Sequence, residues 1–507
     1  MNSLGINMIP PIGSVLRGQD LDNLLLANIS FNKEGLIAHL SKFDGHDLFP
    51  KWLKLIRCID EFVNLKYALS PNEWDLIKDC SIDLLHDKKS FTFLLTIIRC
   101  KFGDAVCERI KTIILMYVGM KMTYQKLGHH GMEFNNIAEV IVFCQSRRLY
   151  YVAYLSLIRI YAKGMEKTCF IDLLCHFQYQ IDFIMSSITS ALHSMIGNGC
   201  IDGYEAIVRD FGIEYSIPYN QLDDLFLEPQ VMTELDILQF EKTKEEWIVS
   251  TETPRTLYSY AELKYAVSQV EKMFEGYGIN DSLVLSDAKR MVMDLRGRFI
   301  EDYSIKLSED EFASFSSTYP HLKLSSEATE YFEAINERPA FFQHEGYYYS
   351  TILLMIRYIE NAVYGQLRKN RRYRIKAGFV FEKKVKALLE QYGFKSTEIK
   401  RIQQQEFDVI CMKDGCAYNF QCKNNYLDIN LLSLQNIDKV KRQNNRLVKY
   451  YIKALEKENF RTKLVQAHFD VEHVENYVVA RFPIVMNHER FIPFNNLENW
   501  LIQQIER

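Results

Sequence analysis

Three polar side chains in the last third of the chain lie in a segment that otherwise reads as two buried β-strands: Asp408, Gln421 and Lys423. The segment is EFDVICMKDGCAYNFQCKN, and its central Asp-Gly pair is the favoured two-residue turn of a β-hairpin. With Asp414 and Gly415 in that turn, Asp408 is predicted to lie opposite Gln421. Because cross-strand partners project to one face at roughly 5 Å, the spacing predicts that the three side chains converge.

An anion, an amide oxygen and an ammonium group in one small area suit a divalent metal ion and a phosphate. The carboxylate of Asp408 and the side-chain oxygen of Gln421 are hard oxygen ligands of the kind that Mg²⁺ takes. The ammonium of Lys423 can stabilise an attacking hydroxide or the charge that develops on phosphorus. The same register sets Glu406 opposite Lys423, and the whole alignment depends on the Asp-Gly turn.

The elements around this hairpin predict an α/β domain. The segment GFVFEKKVKALLEQYGF has apolar residues at helical spacing, with Glu382 beside the apolar stripe and Gly393 placed to end the helix. After the hairpin we expect, in order, a helix at 436–458, an apolar strand at 475–486 and a helix from about Asn496. The order α-β-β-α-β-α predicts helices packed on a mixed central sheet.

A helix Glu, a strand Asp and Gln-x-Lys on the paired strand together resemble the PD-(D/E)XK nuclease superfamily. The glutamine variant is similar to its Mrr-type restriction endonuclease branch. The matching pieces are GFVFEKKV, EFDVI and NFQCKN, within residues 376–507. Two departures stand out: Glu406-Phe407 replaces the proline that names the motif, and Gln421 replaces a carboxylate, which leaves Glu382 to compensate.

The resemblance implies a restriction-endonuclease-like fold and hydrolysis of phosphodiester bonds with Mg²⁺, for which Mn²⁺ substitutes. It implies that Glu382 and Asp408 are catalytic carboxylates that ligate the metal. Gln421 becomes a metal ligand or a water-positioning group, and Lys423 becomes the catalytic lysine. The backbone carbonyl of Cys422 becomes a further metal ligand.

The last third of the chain is also basic. From Arg368 to Arg507 it has 26 lysines and arginines against 16 acidic residues, although the whole chain carries a net charge of −4. An anionic partner for this part explains the asymmetry, and so does docking against the acidic remainder of the chain. On the predicted helix at 436–458 we expect four basic side chains to bind nucleic acid, although a solvated helix face explains any single one equally well: Lys439, Arg442, Arg446 and Lys449.

The chain of 507 residues exceeds a single core, so several domains are expected. We predict a helical domain at 1–230, a linker and helical middle region at 231–335, a hairpin with a lead-in helix at 336–375, and the nuclease-like domain at 376–507. Helix starts are predicted at two capping boxes, Ser70–Glu73 and Ser308–Glu311, and the helix after the first box is expected to run to Leu85. The hairpin within 336–375, called the second hairpin here, is expected to turn at 344–346. The acid-rich segment 223–253 is expected to be a domain boundary.

Eleven irregularly spaced cysteines and a start without a basic and apolar leader favour a cytoplasmic protein that crosses no membrane. The expected function is an endonuclease, and the resemblance implies double-stranded DNA as its substrate, although the residues themselves do not distinguish DNA from RNA. A role in bacterial defence against foreign DNA, and a homodimer or a partner protein docked on the helical body, rest on family analogy. One alternative is a non-catalytic scaffold that binds nucleic acid or protein, with a degenerate nuclease-like domain. The other is an ordinary sheet edge on which Asp408 and Lys423 form a surface ion pair.

Overall fold

The computed structural model describes residues 10–505 with these gaps: 84–87, 127–133, 211, 217–256, 258–259, 278–281, 301–302, 325–327, 329, 337–338, 368, 426, 428–433 and 483. The acid-rich boundary predicted at 223–253 therefore lies outside the described residues. The chain divides into two compact units, each drawn from separate stretches. We call Met1–Phe31, Ile188–Leu225 and Arg368–Arg507 the sheet unit, and Asn32–Ser187 and Phe226–Leu367 the helical unit. The four consecutive regions predicted from the sequence stay a prediction.

Most of the described elements are helices, and they are numbered here along the chain. The first nine are α1 (Gly18–Leu40), α2 (Gly45–Val63), α3 (Leu65–Ala68), α4 (Pro71–Ile77), α5 (Lys88–Phe102), α6 (Asp104–Lys126), α7 (Ile137–Tyr161), α8 (Phe170–Cys175) and α9 (Ser186–Cys200). The others are α10 (Tyr260–Tyr277), α11 (Leu283–Asp294), α12 (Glu309–Thr318), α13 (Tyr331–Asn336), α14 (Ile352–Leu367), α15 (Arg371–Gln391), α16 (Ile437–Phe469) and α17 (Phe494–Ile505). A π-helix (His176–Met185) joins α8 to α9, and a 3-10 turn (Pro320–Leu322) follows α12.

The strands in the described part of the chain form four separate sheets. The strands before the last third are β1 (Val15–Leu16), β2 (Ala206–Arg209), β3 (Gly212–Tyr215), β4 (Phe299–Ile300), β5 (Ser304–Ser308), β6 (Phe342–His344) and β7 (Tyr347–Thr351). Those in the last third are β8 (Lys395–Ser396), β9 (Arg401–Ile402), β10 (Gln405–Glu406), β11 (Val409–Lys413), β12 (Cys416–Lys423), β13 (His473–Ala480) and β14 (Phe491–Pro493). The sheet orders are β1-β2-β3, β4-β5-β7-β6, β10-β9 and β14-β13-β12-β11-β8.

The predicted helical N-terminal body and the mixed sheet near the C-terminus are confirmed. Both capping boxes are present at the predicted positions. The hairpin predicted at 344–346 turns at Glu345-Gly346, and these two residues have positive φ. The helix after the first box was predicted to run to Leu85, and this is wrong. It ends at Ile77 because the backbone beyond it pairs with the start of α7, where Ser81 bridges Asn136.

A buried charge network holds the helical unit together. The carboxylate of Asp60 on α2 forms an ion pair with Arg148 of α7 at 2.8 Å, and it accepts hydrogen bonds from Arg357 of α14 at 3.1 Å and from the hydroxyl of Tyr303 at 2.8 Å. Burial raises the pKa of Asp60, and the charge of Arg148 opposes that rise. The next residue, Glu61, accepts from Arg109 of α6 at 2.5 and 3.0 Å. Helices distant in sequence are thus joined through adjacent carboxylates of α2.

The five-stranded sheet forms the framework of the sheet unit. β11 and β12 are an antiparallel hairpin, β13 and β14 run parallel to β12, and β8 pairs antiparallel with β11. The predicted strand 475–486 is shorter than expected and ends at Ala480, while β8 and β14 were not predicted. Helix α16 extends to Phe469, beyond the predicted end at Glu458, and α15 begins before the predicted segment, at Arg371.

Helices cover both faces of this sheet. Alternate side chains of β12 meet different helices: the amide of Asn419 bonds Glu458 of α16 at 3.0 Å, whereas the ring of Phe420 lies 5.9 Å from that of Trp500 on α17. Phe381 of α15 lies edge-on to the first residue of α17 at 5.2 Å, so these two helices share one face. This two-sided packing buries the consecutive residues Val409, Ile410 and Cys411 of β11.

We expect Asp60→Ala to lower the free energy of unfolding by about 3–5 kcal/mol, because it deprives two buried guanidinium groups of this carboxylate. The measurement is guanidinium unfolding followed by circular dichroism. The matched control is Asp75→Ala, which breaks an exposed ion pair with Lys78 at 3.0 Å and should change the free energy by less than about 1 kcal/mol. Equal effects of the two substitutions would contradict a structural role for the buried network.

Candidate active site

The hairpin of β11 and β12 has the register that the Asp-Gly turn predicts. Asp414 and Gly415 both have positive φ, 51° and 76°, as this turn type requires. Lys413 pairs with Cys416, and the ladder continues to Val409 opposite Phe420. Asp408 therefore enters the hairpin at the position facing Gln421, one residue before β11 begins.

The carboxylate of Asp408 is held by two hydrogen bonds from β12. The side-chain amide Nε2 of Gln421 donates to its Oδ2, and the backbone N–H of Cys422 donates to the same oxygen at 2.8 Å. Burial raises the pKa of Asp408, and the charge of Lys423 and these hydrogen bonds oppose the rise. The orientation of Asp408 is therefore fixed by the strand that carries the other two polar residues.

Helix α15 brings Glu382 to the same end of the hairpin. Its side chain is only 17% exposed and lies 3.7 Å from the ammonium of Lys400. Burial raises the pKa of Glu382 to about 7, and the negative charge of Asp408 adds to that rise. The negative charge of Asp408 therefore reaches Glu382 and disfavours its ionisation, which is the behaviour expected of a site that receives a cation.

Lys423 ends β12 beside these carboxyl groups. Burial lowers the pKa of its ammonium, while the charges of Asp408, Glu458 and Glu382 raise it. Its Nζ lies 5.4 Å from the ring centre of Tyr450 on α16. The structure thus gathers the four side chains predicted from the sequence around one end of the hairpin, and the predicted ligand carbonyl belongs to Cys422, between Gln421 and Lys423.

The predicted pairing of Glu406 with Lys423 is wrong. Gln405 and Glu406 form a short hairpin with β9, in which Gln403 and Gln404 have positive φ, and Glu406 is exposed. Its carboxylate accepts from Nε of Arg401 at 3.1 Å. The chain turns between this small hairpin and β11. The cross-strand pairing predicted from the Asp-Gly turn therefore does not extend beyond Asp408.

Sequence reasoning missed the contacts that fasten α16 to the hairpin. Glu458, 1% exposed, accepts from Asn419 of β12 at 3.0 Å and from Arg461 at 3.1 Å. Arg461 also donates to the backbone oxygen of Glu406 at 2.9 Å. The predicted helix stopped at Glu458, which excluded Arg461. The available signal was the continued helical spacing of apolar residues as far as Val465.

The four basic residues predicted to bind nucleic acid are all exposed on α16, and three of them share a pocket of about 580 Å³. Lys439, the fourth, instead donates to the side chain of Asn436 at 2.8 Å. The described residues that line this pocket are Arg442, Asn445, Arg446, Lys449, Tyr450 and Lys453. Tyr450 was not predicted as a site residue, and its contact with Lys423 connects the pocket to the carboxyl groups.

A second group of metal-ligand types lies within the helical unit. His46 of α2 and His344 and Glu345 of the second hairpin bring one ligand atom each to within 4.8 Å of one another. Nδ1 of His46 already lies 2.5 Å from a carboxylate oxygen of Glu345, and the ring of His344 stacks on Phe49 at 4.3 Å. These contacts account for the arrangement without an ion.

No protein-family model, curated protein or solved structure matches this chain. Among the residues that the structure describes, no helix combines the length and the apolar character needed to cross a membrane. The geometry of the hairpin and its flanking helices therefore stands by itself as the basis for a functional proposal.

We expect Glu382→Gln to stabilise the protein at pH 8. A glutamate has a pKa near 4.5 when unfolded, whereas the folded pKa of Glu382 is about 7, so its contribution to stability is present at low pH and is lost as the pH rises from about 4.5 to 7. Glutamine does not ionise. The free energy of unfolding of the variant should therefore exceed that of the parent by about 1–3 kcal/mol at pH 8, and the two values should converge at pH 4.

The measurement is the free energy of unfolding in guanidinium at both pH values, without divalent ions. Glu398→Gln is the matched control, since Glu398 is 91% exposed and pairs with Lys386. This control should unfold like the parent at both pH values, because solvent screens its exposed ion pair. A pH-independent loss of stability in Glu382→Gln would contradict the raised pKa.

Proposed function

We propose that the sheet unit is a Mg²⁺-dependent endonuclease with a restriction-endonuclease-like fold. The observation that carries the proposal is the meeting of Asp408, Gln421 and Lys423 at one end of a hairpin, with Glu382 supplied by a separate helix. This is the order and geometry that the PD-(D/E)XK resemblance implies. The mixed sheet of two antiparallel and two parallel pairings, covered by helices on both faces, supports the same fold.

The residues at this end of the hairpin fit a hard divalent cation. Glu382 and Asp408 supply carboxylate oxygens, and Gln421 supplies a neutral amide oxygen because its amide nitrogen is already donated to Asp408. Both hydrogen bonds to Asp408 reach Oδ2, which leaves Oδ1 for a cation. The carbonyl of Cys422 is the fourth proposed ligand. When bound, Mg²⁺ supplies positive charge for the phosphate oxygens and the attacking water.

The chain's own groups position and stabilise the reacting atoms. The partly buried ammonium of Lys423 opposes the negative charge that develops on the phosphate and on the water. The hydrogen bonds from β12 hold the Asp408 carboxylate in one orientation, so little reorganisation is needed when substrate arrives. Burial of the site also strengthens these interactions relative to those in bulk water.

Double-stranded DNA is the proposed substrate, because this is the substrate class that the resemblance implies. The exposed cations of α16, Arg442, Arg446 and Lys449, are proposed to bind its phosphates, with Lys439 at the end of the stripe. We place the protein in the cytoplasm and in bacterial defence by family analogy, with a homodimer or a partner protein on the helical body.

The alternative is a non-catalytic scaffold, which the direct bond between Gln421 and Asp408 favours because it satisfies both groups without an ion.

Lys423→Ala is expected to reduce plasmid nicking in Mg²⁺ by a hundredfold or more, because a positive group facing the reacting phosphate is lost. Circular dichroism and DNA binding should change little, since one partly buried side chain is removed and the strand remains. Lys395→Ala provides the matched control, because Lys395 is an exposed lysine on β8 of the same sheet. Nicking by Lys423→Ala at the parental rate would refute its catalytic role.

Metal titration separates a working site from a degenerate one. Gln421→Glu adds a third carboxylate and should preserve or improve Mn²⁺ affinity, whereas Glu382→Gln leaves Asp408 as the remaining carboxylate of the proposed set and should weaken it tenfold or more. Calorimetry of the parent and both variants at pH 8 is the measurement. Equal and negligible binding in all three proteins would favour the scaffold alternative.

A further inference from the structure

The pocket on α16 combines positive charge with an exposed aromatic ring. Arg442, Arg446, Lys449 and Lys453 line it together with Tyr450, and all four cations are exposed. Tyr450 is itself 50% exposed, whereas the adjacent Tyr451 is fully buried in the core of the sheet unit. Tyr450 therefore points away from the core into the basic pocket, and its exposure leaves ring surface accessible to a ligand.

The pocket adjoins the proposed catalytic site. Nζ of Lys423 lies 5.4 Å from the ring centre of Tyr450, so the ring stands beside the lysine that faces the reacting phosphate. A strand whose phosphate lies at Lys423 therefore has the sugar and base of that nucleotide, or of its neighbour, within reach of Tyr450. The surrounding cations are placed to bind the adjoining phosphates.

An exposed tyrosine flanked by cations is suited to a planar base attached to a phosphate backbone. Base–aromatic stacking tolerates every base, because each has a π-face, and phosphate binding by lysine and arginine is independent of sequence. The bases of an intact duplex are stacked on one another, so Tyr450 can stack on a base only where that base is unpaired or turned out of the helix. The pocket is thus complementary to an unpaired nucleotide.

We propose that Tyr450 stacks on an unpaired base of the DNA strand next to the phosphate held at Lys423. The enzyme then selects DNA that has a flap, a gap, a mismatch or a single-stranded segment at the cleavage site, in preference to an intact duplex. This inference rests on the proposed nuclease function and deepens it by naming the structure of the substrate. The four cations of the pocket bind the phosphates on either side of the stacked base.

The test uses single-stranded oligonucleotides that contain 2-aminopurine, bound to the full-length protein in EDTA so that no cleavage occurs. Stacking on Tyr450 should quench the 2-aminopurine fluorescence of the parent complex. Tyr450→Phe should retain both quenching and affinity, because its ring is unchanged in size. Tyr450→Leu should lose the quenching and weaken single-strand binding by roughly tenfold to a hundredfold.

Lys463→Ala is the control for a general loss of charge on the helix. Lys463 is exposed on α16 and is not among the described residues that line the pocket. It should bind the oligonucleotide like the parent. A second measurement needs no variant: an oligonucleotide with 5-iodouracil should crosslink to Tyr450 on irradiation, with the site mapped by mass spectrometry. This keeps the inference testable if Tyr450→Leu fails to fold.

The outcomes distinguish this inference from the nuclease proposal. Plasmid nicking that depends on Lys423, together with unchanged quenching in Tyr450→Leu or a crosslink away from Tyr450, would overturn the stacking and leave the nuclease standing. Preference for a gapped over an intact duplex, lost in Tyr450→Leu and kept in Tyr450→Phe, would support it. Absence of both DNA binding and cleavage in the parent would overturn both proposals.

Discussion

The arrangement of the proposed site depends on the buried carboxylate of Glu458. It joins Asn419 of the central strand β12 to Arg461 of α16, and Arg461 reaches on to the backbone of Glu406 just before the hairpin. A buried charge that lost these partners would be strongly destabilising, so the three groups stay together. Because Glu458 and Tyr450 share α16, this polar anchor, together with the two hydrogen bonds between buried Asn444 and the backbone of Val485, sets the helix register that brings the aromatic ring beside Lys423.

The site itself is kept in an electrostatically unfavourable state. Burial raises the pKa of both Glu382 and Asp408, and the negative charge of Asp408 adds to the rise at Glu382. Lys423 and Lys400 offset part of this repulsion. Such a concentration of charge contributes nothing to folding, which is why removing one carboxylate is expected to stabilise the protein while weakening metal binding. Residues that bind a ligand commonly lower the stability of the ligand-free protein in this way.

The helical unit uses buried charge in the opposite way. Around Asp60 and Glu61 the carboxylates are matched with arginines at hydrogen-bond distance, and Tyr303 completes the set. These groups lie deep in the unit and join helices far apart in the sequence. A matched network of this kind specifies which helices pack together, because each alternative packing would leave a charge buried without its partner.

Local chemistry in the sequence determined several parts of this protein directly. The Asp-Gly turn fixed the register of the β11–β12 hairpin, the Ser-x-x-Glu boxes fixed two helix starts, and Gly393 ended α15 with a positive φ of 82°. From the turn alone Asp408 could be set opposite Gln421. Each of these features is decided by interactions among a few residues that are adjacent in the sequence, so it can be predicted without the tertiary structure.

Tertiary structure decided what neighbouring residues do not control. The helix after Ser70 ended early because the backbone beyond it pairs with distant backbone, and Glu406 turned to Arg401 because the chain changes direction before β11. The reach of Glu382 toward Asp408 and the contact of Tyr450 with Lys423 depend on how two helices pack on the sheet. Sequence periodicity sets which face of a helix is apolar. The side-chain packing and buried hydrogen bonds between distant segments set where that helix sits along the sheet, and therefore which of its polar residues meet the hairpin.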